Sequence, residues 1–336
     1  MRSAGCPAPA ASSSFFAPSF DAWPGSTPAA DRAPRPPTPA IPGPTALRMN
    51  LPVLLRRLAL PSALLVLSPL RAADPAVTAP PAGVPLPFSE SLPLHCESNA
   101  RDYDLFIRYP DGYREEKNKD RRYPVVYICD AQWDFFLIGA IYPTLIFDEQ
   151  IEECILVGMA WGGQTRNYWQ YRGIDYTPVP MASRNPDGGG AAKFGAALKH
   201  EIIPFVEARV RADPCRRILT GSSYGGLFVL HMLLVEPGLF CGYIAPTPAL
   251  VYADNYLPKQ EAATAAHRVA ARGRLFLTAG ALEGADWRQS ILDFEAALNS
   301  RHYPELRIRT AIIAGAGHSG QKAEAYARGL QFVLGK

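Results

Sequence analysis

From about residue 89 onward, short apolar runs alternate with longer stretches of helical period. The extended runs fall at 92–98, 103–109, 124–129, 154–159, 217–220, 242–245, 274–278 and 307–313. Several of them, such as Ile155-Leu-Val-Gly-Met159, are apolar without a break, the pattern of strands buried on both faces. The first two are joined near Asn99-Ala100 and read as an antiparallel pair. The other six are separated by helix-like segments, including an amphipathic stretch over 191–210. This alternation predicts an α/β fold with a mainly parallel eight-stranded sheet and helices on both faces. One stretch, 161–190, is long, aromatic and rich in Gly and Pro, and it reads as a loop covering a functional site.

The first 88 residues differ in kind. Residues 1–48 are rich in Pro, Ala and Ser and have no hydrophobic period, so they cannot bury enough surface to order themselves. Met49 reads as a start of its own, with the segment before it an over-extended reading frame. Arg56-Arg57, an apolar run over 58–70 and Arg71-Ala-Ala-Asp74 follow, the order of a signal peptide over 49–73 cleaved near Ala73. The apolar run is shorter than the roughly 20 residues a bilayer requires, and Pro61 and Pro69 interrupt it. An uncleaved anchor is the alternative. Residues 74–88 read as a linker and 89–336 as one domain. The expectation is an exported protein, periplasmic or secreted, without stable membrane insertion after cleavage.

Charge and composition narrow the function. Hydrophobic residues make up 48% of the chain and the net charge is only +3, without a basic cluster suited to nucleic acid. No cysteine or histidine spacing suggests a metal, since His200-Glu201 lacks the second histidine of H-E-x-x-H. Gly315-Ala-Gly-His-Ser-Gly320 matches a dinucleotide fingerprint, but the βαβ unit and distant acid that the fingerprint requires do not follow it. No cofactor is expected. Five cysteines follow the expected signal, an odd number that leaves at least one thiol unpaired, and Cys129 and Cys154 read as buried small apolar residues.

The chemistry concentrates at Arg217-Ile-Leu-Thr-Gly-Ser-Ser-Tyr-Gly-Gly-Leu-Phe-Val-Leu-His231. An apolar run enters a G-x-S-x-G turn and a helix-like run leaves it, which would set Ser223 at the tip of a sharp strand-to-helix elbow. In a chain with 27 glycines the pentapeptide alone is weak, so a base and an acid are required. Of six histidines, His95, His200, His231, His267 and His302 fall before the parallel strands or on or beside helical segments. His318 alone lies in a loop directly after a late strand, where an α/β sheet presents catalytic groups. The strand before it ends at Gly280, with Glu283 three residues beyond and Asp286 three further on. Glu283 is the preferred acid by its place at the strand end. Asp286 suits a charge at a helix N-terminus better. The order Ser223, Glu283, His318 is the nucleophile, acid, base order of α/β hydrolases.

With these residues placed, the chain resembles the esterase branch of the α/β hydrolases that includes enterochelin and other siderophore esterases, esterase D and feruloyl esterases. The resemblance runs from about Leu92 onward. It rests on Tyr123-Pro-Val-Val-Tyr-Ile-Cys-Asp130, Ile155-Leu-Val-Gly-Met159, Arg172-Gly-Ile-Asp-Tyr-Thr-Pro178, Glu201-Ile-Ile-Pro-Phe-Val206, the elbow, and Glu236-Pro-Gly-Leu-Phe240. Two departures lie near the expected pocket. Asp130-Ala131 replaces the family's Asp-Gly, and Ala245-Pro-Thr-Pro-Ala-Leu-Val251 stands where Ser-Pro-Ser-Leu-Trp is usual. The oxyanion hole would use the backbone N–H of Tyr224 and, from the loop after the third strand, that of Gln132, unless Gln132 is an ordinary loop residue. Arg172, Trp133 and Trp161 are candidate substrate contacts. Arg172 would meet an anionic or catecholate-bearing ester, or else pair structurally with Asp175 or a neighbour. The resemblance implies a serine esterase acting on a siderophore lactone or related polar ester. An acyltransferase with a sugar hydroxyl as acceptor and a non-catalytic binding module are the alternatives. The partner expected is a small-molecule ester, and oligomeric state is left open.

Overall fold

The computed structural model describes residues 85–163, 167–267 and 270–335, with the side chain of Thr264 left aside. The segments expected to be disordered (1–48) and to form a signal peptide (49–73), with most of the linker, lie outside the described residues. Within them, β1 (Ser89–Cys96) and β2 (Arg101–Arg108) form the antiparallel pair expected, closed by a turn in which Ala100 takes φ 51°. Then come β3 (Tyr123–Ile128), β4 (Ile155–Trp161), β5 (Ala212–Thr220), β6 (Gly242–Pro246), β7 (Gly273–Gly280) and β8 (Leu306–Ile313). They make one eight-stranded sheet in the order β1-β2-β4-β3-β5-β6-β7-β8. β2 meets β4 antiparallel, and every pairing from β4 to β8 is parallel. Strand β5 starts five residues before the expected run, because Asp213-Pro-Cys-Arg216 is too polar to be read as a strand although Ala212 already pairs with Tyr123.

Alternation along the central strands feeds two apolar layers. Val125 and Tyr127 of β3 join one layer, while Val126 and Ile128 join the other, and all four are fully buried. Helices α1 (Ala131–Phe147) and α8 (Lys322–Leu334) cover the second layer through Phe135, Ile138, Tyr142, Tyr326 and Leu330. The opposite face carries α3 (Ala191–Ala197), α4 (Ile203–Glu207), α5 (Tyr224–Val235) and α7 (Ala285–Ser300). A five-residue π segment, Leu198–Ile202, joins α3 to α4, so the amphipathic stretch 191–210 is helical but not uniformly α. Each fully buried large apolar side chain contributes about 1.5–3 kcal/mol. Helix α5 is apolar all round because it is enclosed on every side, with ten consecutive buried residues from Gly225 to Leu234.

The described residues of the stretch over 161–190 are not all loop. They include α2 (Tyr168–Asp175), whose first turn is capped by the Asn167 side chain accepting from the Gln170 N–H at 3.1 Å. Tyr176 then enters the core between Trp161 and Phe228. Helix α6 (Tyr252–Thr264) follows β6 and opens on three residues with positive φ, Ala253 to Asn255.

Candidate active site

Strand β5 delivers Gly221-Ser-Ser223 to the carboxyl edge of the sheet, and α5 begins at the next residue. Ser223 takes φ 60° and ψ −113°, outside the regions open to most L-residues at no cost. Such a conformation costs on the order of 1–3 kcal/mol and persists only where its surroundings over-determine it. Here the Ser223 N–H donates to the Pro246 carbonyl at 3.0 Å, and its carbonyl accepts from Leu227 at 2.9 Å and Ala249 at 3.0 Å. Glycine at 221 is a steric necessity: a Cβ there would lie 2.8 Å from the Cβ of Cys129 and from the carbonyl carbon of Gly225.

Two loops further along the same edge, Glu283 and His318 are in contact. The Nδ1 of His318 lies 2.6 Å from Glu283 Oε1. The Thr247 hydroxyl donates to that same oxygen at 2.5 Å. The other carboxylate oxygen accepts the Gly280 N–H at 2.6 Å and the Gln321 amide at 3.1 Å. Four donors therefore converge on a carboxylate whose side chain is 4% exposed, which satisfies the burial of its charge. The imidazole remains 42% exposed and receives the Trp287 ring edge-on at 5.1 Å. Asp286 is exposed in the first turn of α7, in the position of a helix N-terminal charge.

Thr247 ties this pair to the elbow. It sits between Pro246 and Ala249, the two residues that hold Ser223, and it too has a positive φ, 43°. Sequence reasoning did not single out Thr247, Trp287 or Gln321. The departure from Ser-Pro-Ser at 245–247 was the signal available for Thr247, and Trp287 and Gln321 carry no motif.

The backbone N–H groups of Tyr224 and Gln132 are the first of α5 and the second of α1, positions without an intrahelical acceptor. Asp130, immediately before α1, adopts a left-handed conformation, φ 53° and ψ 38°, with its N–H donating to the Tyr176 hydroxyl at 2.9 Å. Both side-chain amide atoms of Gln132 are buried without a hydrogen-bond partner. Arg172 does not pair with Asp175. Its Nε lies 2.9 and 3.0 Å from the Asp130 oxygens, and its Nη2 donates to the Ser222 carbonyl at 3.0 Å. Asp175 takes instead the Trp161 indole N–H at 2.9 Å and the Arg101 guanidinium at 3.6 Å. Trp161 therefore departs from the role of a substrate contact: β4 runs on through it into the core, where it is 1% exposed. Trp133 is on the surface at the start of α1, its ring 5.1 Å from that of Trp169 and 6.2 Å from Tyr168.

The strand order, the single antiparallel edge and the strand-elbow-helix at Ser223 define an α/β-hydrolase-type esterase fold. The chain belongs to the family described as "Putative esterase", whose model matches residues 97–319. Among curated proteins it is similar to the ferri-bacillibactin esterase BesA of Bacillus subtilis (strain 168), 26% identical over 190 residues, which cover 52% of this chain and 63% of that protein. It is also similar to a siderophore triacetylfusarinine C esterase of Aspergillus fumigatus, 29% identical over 173 residues, with 51% and 59% covered. The matches thus span about three fifths of these relatives' lengths. Among solved structures, the BES protein of Bacillus cereus superposes with a TM-score of 0.66 at 20% identity, over 76% of this chain and 99% of that one.

Proposed function

We propose that the protein is a serine esterase that hydrolyses a carboxylic ester through Ser223, His318 and Glu283. The observation that carries this reading is the 2.6 Å contact of His318 Nδ1 with a buried Glu283, tied through Thr247 to the segment that holds Ser223 at a strained elbow. Ser223 Oγ attacks the ester carbonyl while His318 Nε2 takes its proton. Glu283 holds the imidazole in the Nδ1–H tautomer and stabilises the imidazolium as it forms. The N–H groups of Tyr224 and Gln132 hold the oxyanion, each worth roughly 2.7–4 kcal/mol where such donors have been removed. The alcohol leaves with the proton from His318, and water activated by the same imidazole releases the acyl-enzyme.

The substrate class is a siderophore lactone or related polar ester. It is supported by similarity to a relative named as a siderophore triacetylfusarinine C esterase and to another named as a ferri-bacillibactin esterase, within a family of esterases. Export behind a signal peptide over 49–73 belongs to the same reading, and the amino terminus of the native mature protein, read by mass spectrometry, tests it near Ala73. The function itself is tested with p-nitrophenyl acetate and butyrate and with a fluorophosphonate label. Hydrolysis and labelling at residue 223 that both vanish in Ser223→Ala uphold the reading, and activity retained by that variant overturns it. A screen of tri-catechol lactones and feruloyl esters, with water competing against alcohol acceptors, then separates hydrolase from acyltransferase.

A further inference from the structure

Thr247 is a fully buried, β-branched residue in the left-handed region, an uncommon combination that glycine would adopt without strain. What threonine adds there is one hydroxyl with three polar neighbours. Trp287 Nε1 lies 2.8 Å from Oγ1, Glu283 Oε1 lies 2.5 Å from it, and His318 Nδ1 lies 3.3 Å from it. An indole N–H can only donate, so Oγ1 must accept from Trp287. The single hydroxyl proton then goes to the nearer and charged neighbour, the Glu283 carboxylate. Oγ1 has one lone pair left, and it faces His318 Nδ1. His318 Nδ1 also lies 2.6 Å from Glu283 Oε1, so the three short contacts each hold one proton only if Nδ1 carries the proton and Nε2 is left as the base, with the longer Oγ1 contact sharing the Nδ1 proton.

We propose that Trp287 and Thr247 form a one-way hydrogen-bond relay that fixes the orientation of Glu283 and the tautomer of His318. They are positioning residues, and their role rests on the Ser223, His318 and Glu283 reading above. The relay also explains the placement of Thr247 between the residues that hold Ser223: one segment sets the elbow and the acid-base pair in register.

The test compares Thr247→Val, Thr247→Ser and Trp287→Phe with the parent and with Ser223→Ala, by kcat, KM, the pH profile of kcat/KM and Tm. Valine keeps the branched shape and removes the hydroxyl. It should lower kcat by about ten- to a hundredfold with KM little changed, the pattern of an interaction made for the transition state. The acid limb should also move to higher pH, because a carboxylate relieved of the hydroxyl proton holds the imidazolium more firmly. The other charged groups around the pair are the same in all variants. Arg288 donates to the Glu283 main-chain carbonyl, Asp286 is exposed, and Lys322 is held by Asp134. Thr247→Ser should recover most of the activity, and Trp287→Phe should shift the acid limb in the same direction by less. The relay is overturned if Thr247→Val matches the parent in kcat and acid limb. It is equally overturned if serine and valine lose activity and Tm alike, which would make Thr247 a packing residue. Should the valine variant fail to fold, an unmoved limb in Trp287→Phe overturns the relay by itself. Ser223→Ala keeps the two readings apart: if it is inactive, a null result at Thr247 counts against the relay alone.

Discussion

Arg172 and the buried Asp130 form an ion pair that joins the starts of two helices. The Arg172 Nε faces both Asp130 oxygens at 2.9 and 3.0 Å, and Nη2 continues to the Ser222 carbonyl. Asp130 precedes α1 and Ser222 lies two residues before α5. The guanidinium therefore sets the distance between the two N-termini from which the oxyanion donors are proposed to come. Burial pushes the Asp130 carboxyl up to about 6 even though Arg172 pulls it down.

Arg172→Ala should accordingly behave as a scaffold lesion. Leaving Asp130 buried without its partner costs about 3–5 kcal/mol, the size found when one half of a buried pair is removed. The proposed oxyanion donors would drift with it, so kcat should fall more than KM rises. Denaturant unfolding and steady-state kinetics on the same preparations check both. A rise in KM for anionic esters with unchanged stability would restore Arg172 to the role of a substrate contact.

The acid is separable by chemistry. Glu283→Gln keeps the shape but places an amide against His318 Nδ1, favouring the wrong tautomer, and kcat should drop by about 10⁴-fold, as when a triad acid is replaced by its amide. Asp286→Asn removes only an exposed charge from the first turn of α7, so it should leave kcat unchanged and cost about 0.3–1 kcal/mol. Equal kinetic losses at the two positions would defeat the assignment of Glu283.

Much of this arrangement is legible in the sequence, and the reasons are local. Parallel strands buried on both faces announce themselves as unbroken apolar runs, as in β3 and β4, whose residues are all buried. The elbow is legible because its two glycines and the helix behind it are contiguous in sequence. Trp161 reads as a loop residue because the apolar run counted for β4 ends at Met159, whereas the strand carries Ala160 and Trp161 into the core as well. Arg172 was legible as a cation near the site, but its partner lies 42 residues away and no local pattern points to it. Thr247 lies in a different connection from Glu283 and His318, and the Trp287–His318 and Gln321–Glu283 contacts each cross between connections, so only the folded sheet edge makes them.

The exposed indoles are proposed as a determinant of substrate range. Trp133 follows Gln132 at the start of α1, and its ring lies 5.1 Å from Trp169, which is 73% exposed on α2. Stacking of an aryl group on such a pair is worth about 0.5–1.5 kcal/mol. Trp133→Ala and Trp169→Ala should each raise KM for aryl-acyl esters by roughly two- to tenfold and leave small acetates unaffected. A KM series over acetate, butyrate and feruloyl esters reads this directly, and a uniform change across the series would remove the indoles from recognition.

His231 should give the stability a definite pH dependence. It lies in α5, the helix that leaves the elbow, 6% exposed, with Nδ1 lacking a hydrogen-bond partner and its ring near Phe228. Burial alone lowers its pKa from 6.5 to about 4. Between those values the unfolded chain binds a proton that the folded chain refuses, so folding stability rises with pH through this window. The contribution is intact above about 6.5 and is lost progressively as pH falls to about 4, for a total on the order of 3 kcal/mol at 1.36 kcal/mol per unit. His231→Leu keeps an apolar side chain in the same enclosed position and removes the proton-binding group. Its stability relative to the parent should therefore be nearly constant from pH 8 to 6.5, then gain steadily at pH 5.5 and 4.5. Urea unfolding at those four pH values measures the difference, and parallel curves for the two proteins would show that His231 is reached by a proton without unfolding.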